Sequence, residues 1–329
     1  MVNLWKPEIF QGNGKKKDYF EGWYFKLVDK EEKTAYSIIP GISLSGDPEK
    51  SHAFIMLLDA KNHKMYYFTY NTGDFWADKS KFEIKIHKNT FSLKNIYLDI
   101  GNGKNKIKAD LEFSNIIPWP VKLLSPGVMG WYTFVPMMEC YHGVLSFDHR
   151  INGYVRINGD KRDFNGGKGY IEKDWGKSMP SSWIWMQTNH FKKDGISLFG
   201  SIAKIPWLKN YFTGYIFGLL YEGEIHRFTK YNKTQISKLM VNDDRIEVKL
   251  ENKKNILEIN AKRTEGVDLP APSLGEMTSR VNESLNSKIN VDFYIKKGGK
   301  KNLIFSGIGR NAGLEFVGDI DELLGGFKK

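Results

Sequence analysis

The stretch "SSWIWMQTNHF", Ser181–Phe191, alternates without a break. Trp183, Trp185, Gln187 and Asn189 fall on one side of an extended chain. Ser182, Ile184, Met186, Thr188 and His190 fall on the other. Period two over this length reads as a β-strand. Two tryptophans and two amides on one face suit a barrel interior that holds an apolar ligand with a few fixed polar contacts. The alternative is a sandwich core in which the indole N–H groups bond to the amides.

The same rhythm extends outward. Phe82, Ile84 and Ile86 alternate with Glu83, Lys85 and His87, and Ile107, Ala109, Leu111 and Phe113 with Lys108, Asp110 and Glu112. Ile246, Val248 and Leu250 repeat it, as do Ile289, Val291, Phe293 and Ile295. Turn signals such as "NTGD", "GNGKN", "INGD" and "KKGGKKN" separate these runs, as in antiparallel hairpins of a sandwich or barrel. Helical patterning is scarce. Ser273–Leu285 and "GDIDELLGG" are the two candidates.

The length of 329 residues suits two domains, and the 14% aromatic share with 32 glycines suits an all-β chain. The segment 115–140 breaks the rhythm. It stays apolar, and Pro118, Pro120, Pro126 and Pro136 forbid a long helix or central strand there. An apolar loop must be covered or must line something. We place it as a connector at the end of an N-terminal domain, 1–160, followed by a C-terminal domain, 161–329. "YFEGWYFK" (Tyr19–Lys26) resembles "YIEKDWGK" (Tyr170–Lys177), which suggests one β-architecture used twice.

The net charge is +11, but the lysines are dispersed, no basic run reaches five residues and no nucleic-acid motif occurs. A nucleic-acid partner is not expected. Weak peripheral association with an anionic membrane fits the charge better. Cys140 is the only cysteine, so no intrachain disulfide forms, as in a reducing compartment. The N-terminus lacks a signal-peptide apolar run, and a cytoplasmic protein is expected. Nothing in the sequence sets an oligomeric state.

Several residues carry potential chemistry. Glu172 and Asp174 share a face if extended, and Lys173 points the other way. Two close carboxylates push one proton affinity up, which makes a general acid. The alternative is a solvated turn. Glu139 follows an apolar run and precedes His142 by three positions. The pair lacks a third ligand at a typical spacing, so no metal is expected. Cys140 reads as a small buried hydrophobe. The glycines at 166, 167 and 169 form no phosphate-binding motif and read as a turn before a strand.

"DYFEGWYFKL", "PMMECYHGVLSFDH", "GGKGYIEKDWGKSMPSSWIWMQ" and "AGLEFVGDI", spread over almost the whole chain, together resemble the tocopherol cyclase family. Its members close the chromanol ring of vitamin E, and it is similar to carotenoid hydratase-like and Diels–Alderase-like proteins. The resemblance implies two lipocalin-like antiparallel β-barrel or sandwich domains. It also implies an isomerase (an intramolecular lyase) acting on a prenylated or polyene-like hydrophobic small molecule, with no cofactor. A buried acid (Glu172, Asp174 or, third, Glu139) would protonate an alkene. Trp23, Trp175, Trp183 and Trp185 would line the substrate, their π faces worth about 0.5–2 kcal/mol each to a cation. Gln187, Asn189 or His142 would orient a phenol or take its proton. A carrier of the same fold, binding a lipid or terpenoid without turnover, is the alternative.

Overall fold

The structure, a computed structural model, describes residues 3–136, 138–207, 210–325 and 327. Among these, the chain is almost wholly antiparallel β and divides into two compact units. Unit 1 comprises Met1–Met179 and Leu269–Arg280, and unit 2 comprises Pro180–Asp268 and Val281–Lys329.

The strands of the first sheet are β1 (Tyr19–Val28), β2 (Ala35–Leu44), β3 (His52–Asp59), β4 (Lys64–Tyr70), β5 (Phe75–Ala77), β6 (Glu83–Ile86), β7 (Asn89–Ser92), β8 (Asn95–Gly101), β9 (Lys106–Ser114), β10 (Cys140–Ile157), β11 (Asp160–Asp163) and β12 (Gly167–Gly176). They run in the order β4-β3-β2-β1-β12-β10-β9-β8-β7-β6-β5, and β11 pairs off β10. The alternating residues predicted for β6 and β9 bury their apolar side, as period two requires. One core takes Trp23, Phe25 and Leu27 from β1, Ile55 and Leu57 from β3, Ile84 and Ile86 from β6, and Leu111 from β9. Strands far apart in the sheet order thus meet in one core, so the sheet curls on itself.

The second sheet contains β13 (Trp183–Thr188), β14 (Ser197–Trp207), β15 (Asn210–Tyr221), β16 (Glu224–Thr229), β17 (Gln235–Val241), β18 (Arg245–Glu251), β19 (Asn255–Lys262), β20 (Val267–Ser273), β21 (Glu276–Lys297) and β22 (Lys300–Val317). Its order is β16-β15-β14-β13-β22-β21-β19-β18-β17, with β20 beside β21. Its core takes Ile184 and Met186, Phe217 and Leu219, Val248, Ile259, Val291 and Leu314. A short helix α1 (Ile320–Gly325) follows within "GDIDELLGG".

The architecture is duplicated: β1 lies between β12 and β2, and β13 lies between β22 and β14. The equivalent strands are therefore β1 and β13. The repeat read between Tyr19–Lys26 and Tyr170–Lys177 does not mark two halves. Those segments lie in β1 and β12, adjacent antiparallel strands of one sheet, with Glu21 opposite Trp175 and Tyr24 opposite Glu172. Two other expectations change. The first unit does not stop near 160, because β12 pairs with both β1 and β10 and carries the chain to Met179. Ser273–Leu285 is not helical. It forms the end of β20, a turn at Leu274–Gly275 and the start of β21, where strand pairing outweighs local propensity.

Candidate active site

The site is built on β12, a central strand whose neighbours are β1 and β10. Alternation divides it. Ile171, Lys173 and Trp175 turn to the side of the unit 1 core. Tyr170, Glu172 and Asp174 turn to the opposite face. Antiparallel register then supplies the neighbours: His142 stands opposite Asp174, and Val144 and Tyr24 stand opposite Glu172. On the β1 side of Asp174 stands Gly22, which presents no side chain.

On this face His142 Nδ1 lies 2.8 Å from Asp174 Oδ1, and its Nε2 lies 3.7 Å from Glu172 Oε2. The Tyr170 hydroxyl donates to Glu172 Oε2 at 2.6 Å. The His142 and Asp174 side chains keep 17% and 23% exposure and Glu172 keeps 7%, so the cluster is sheltered yet reachable. Burial by itself pulls the His142 imidazole down. The charges of Asp174 and Glu172, with the Asp174 hydrogen bond, outweigh it and raise the group from 6.5 to about 9. At neutral pH the ring is an imidazolium. Burial first, then the Glu172 charge, pushes the Tyr170 phenol up, so it remains a proton donor. Burial, with Asp174 and Glu139, also pushes the Cys140 thiol up. It is therefore no thiolate nucleophile.

Ligand atoms of His142, Glu172 and Asp174 lie within 4.8 Å of one another, so these are the residues that could hold a metal ion. Sequence spacing did not reveal the trio, because the histidine comes from β10 and the acids from β12. In the arrangement present, one cation already sits between two carboxylates and a phenol donates to one of them. That is the pattern of a proton-bearing ion cluster.

The opposite face of the same strand does other work. Lys173 and Glu21 are fully buried, 2.6 Å apart. The Lys173 ammonium also donates to the carbonyls of Pro7 and Ile9 and lies 5.1 and 4.4 Å from the ring centroids of Trp23 and Trp175. Glu21 accepts from the Gln11 amide and the Tyr19 hydroxyl. Burial drives the carboxyl up and the ammonium down, and each partner opposes the other's shift. These contacts strap the N-terminal residues 7–11 to the sheet.

The predicted site residues thus separate. His142, Glu172 and Asp174 come together. Trp23 is a core residue, stacked on Phe82 at 5.5 Å with its indole N–H on the Glu8 carbonyl. Trp175 stacks on Tyr141 at 5.6 Å, on the side of the sheet away from the acids. Glu139 is half-buried just before β10. Its carbonyl accepts from the Lys177 amide, and a Cβ on Gly176 would lie 2.2 Å from that oxygen. Trp183, Trp185, Gln187 and Asn189 are buried in unit 2. The face of Trp183, Trp185 and Gln187 is not that sheet's packed interior, since the intervening Ile184 and Met186 fill the core. There the Trp183 indole donates to Glu315 at 2.7 Å, and Trp185 occupies the space over Gly313. Sequence reasoning missed Tyr170, which the spacing Tyr170-Glu172-Asp174 already put on the acids' face. It also missed Glu315 and the buried Glu283 opposite it, which only strand pairing joins to Trp183 and Trp185.

Comparison with known proteins agrees with this architecture. The chain is 22% identical to a probable chloroplastic tocopherol cyclase of Oryza sativa subsp. japonica, over 93% of this chain and 77% of that protein. It is 21% identical to the chloroplastic tocopherol cyclase of Zea mays, over 93% and 76%. The crystal structure of CghA with Sch210972 superimposes with a TM-score of 0.55 at 10% identity, over 91% of this chain and 89% of that one. That likeness shows the fold, a pair of lipocalin-like β domains. The profile of the tocopherol cyclase-like proteins matches residues 88–318, well over half of the sequence. The chain belongs to the tocopherol cyclase-like family.

Proposed function

We propose that the protein catalyses a redox-neutral, acid-type cyclisation, or the related hydration, of a hydrophobic prenylated or polyene small molecule. The observation that carries this reading is the His142 imidazolium held between Asp174 and Glu172 on the sheltered face of β12. Its family membership and the cyclase relatives support the same class.

The chemistry follows from the charges. With either Glu172 or Asp174 carrying one further proton as a carboxylic acid beside the imidazolium and the other carboxylate, the cluster is neutral. That proton goes to an alkene carbon of the substrate, and the negative cluster left behind stabilises the cation that develops. A phenol oxygen closes the ring, or water adds, and the oxygen's proton returns to the cluster. No electrons leave or enter. Tyr170 holds Glu172 in place and stays protonated. Positioned proton transfer of this kind contributes about 10²–10⁴-fold.

The test incubates a prenylated hydroquinol with wild-type protein and with Asp174→Asn, Glu172→Gln and His142→Gln, and measures ring-closed product. Loss of about 10²-fold or more in each variant, with folding retained, is the expected result. Equal product in all four would remove the cluster from the chemistry. Ligand retained by every variant, with no product from any of them, would make the protein a carrier.

A further inference from the structure

From Phe113 to Pro136 the sequence holds no Asp or Glu and a single charged side chain, Lys122. Much of this segment packs down. Trp119, Val128 and Met129 are buried. Its tip does the opposite. Lys122 and Ser125 exchange both backbone hydrogen bonds, each 3.0 Å, and so close a two-residue turn with Leu123 and Leu124 at the apex. These leucines are 77% and 78% exposed, the most of any large hydrophobic side chain among the described residues.

The turn is held in that posture. The Trp5 indole N–H donates to the Leu123 carbonyl at 3.1 Å, and the Trp5 ring packs 5.8 Å from Phe134. Trp131 stacks on Tyr132 at 4.1 Å nearby in the sequence. Val121, Trp5, Trp131 and Phe134 are themselves exposed. Ordered exposure of so many apolar groups in one segment marks an interaction surface.

The chemistry of the surface selects the partner. Two leucines at the apex of a tight turn enter a deformable apolar phase without needing a matching pocket. Indole rings favour the boundary between hydrocarbon and water. Lys122 stands beside the apex with no acid in the segment to neutralise it, on a chain of net charge +11, and so complements anionic headgroups. No helix among the described residues is long and apolar enough to cross a membrane. We propose that the Leu123–Leu124 turn docks the protein on an anionic bilayer. The leucines insert below the headgroups, Trp5, Trp131 and Phe134 lie at headgroup level, and Lys122 meets phosphate. The proposal stands apart from the reading of the His142 cluster, and no result on catalysis bears on it.

Flotation with vesicles of phosphatidylcholine and phosphatidylglycerol tests it. The wild-type protein floats. Leu123→Ser with Leu124→Ser weakens partitioning roughly a hundredfold, about tenfold for each leucine. Lys122→Ala weakens binding to these vesicles but not to pure phosphatidylcholine, and the difference fades in high salt. Brominated lipid quenches wild-type tryptophan fluorescence, less so in Trp131→Phe, an arm that needs no leucine variant. An unchanged thermal midpoint shows that the double variant folds. Wild-type protein that stays in the pellet overturns the proposal, as does a double variant that floats equally well. So does a wild-type dimer that the double variant turns into a monomer, since the patch would then cover a second copy of the chain.

Discussion

The His142 cluster predicts a pH-dependent stability that can be worked out in advance. The imidazole rises from 6.5 to about 9 on folding. A raised histidine binds its proton more tightly in the folded state, so its contribution is fully present below pH 6.5 and is lost as pH rises through about 9. At 1.36 kcal/mol per unit the contribution is on the order of 3 kcal/mol. A loss of that size is a large fraction of a typical folding free energy. The perturbation is Asp174→Asn, which removes the nearer negative charge and the charge-assisted hydrogen bond while preserving shape. The assay is urea unfolding at a series of pH values from about 6 to about 10, followed by far-UV circular dichroism, with the histidine ring protons titrated by NMR. Wild-type protein should lose stability across that alkaline limb. Asp174→Asn should be less stable near pH 6 and show a flatter limb, and its His142 resonance should titrate well below that of the wild type. A wild-type His142 that titrates at or below 6.5, or an unchanged limb in Asp174→Asn, would refute the reasoning.

Two further outcomes follow from buried groups outside the cluster. Lys173→Met leaves the Glu21 carboxylate buried without its cation and should cost about 3–5 kcal/mol in urea unfolding, whereas Lys173→Met with Glu21→Leu should recover much of that loss. His149 is buried against Phe113 at 4.7 Å, its Nε2 has no hydrogen-bond partner among the described residues, and burial holds it down at about 3. Its neutral form belongs to the fold, so stability present above pH 6.5 should fall by on the order of 5 kcal/mol as pH drops toward 3. His149→Leu should remove that part of the acid limb, measured as the acid-unfolding midpoint.

Much of the architecture was legible because strand alternation is local. Phe82, Ile84 and Ile86, and likewise Ile107 to Phe113, turned inward as their spacing required. The facing of Glu172 and Asp174 together, away from Lys173, needed nothing beyond an extended backbone. Local pattern fails where two sides of a strand look alike. Around Trp183 both sides carry large apolar groups, and pattern alone favours the bulkier side as the interior, although Ile184 and Met186 hold that place. Likeness between Tyr19–Lys26 and Tyr170–Lys177 could mean equivalent strands or paired ones, and only the hydrogen-bond ladder distinguishes them.

The sequence by itself determined an all-β chain, the faces of its strands, the resemblance to tocopherol cyclases and the short list of acids. Only the tertiary structure decided that His142 bridges Asp174 and Glu172, that Lys173 and Glu21 neutralise each other inside the core, and that Leu123 and Leu124 stand exposed. The physical reason is range. Which side of a strand a residue occupies follows from its own backbone. Which charge it meets, and whether water reaches it, depend on a register set by residues far along the chain.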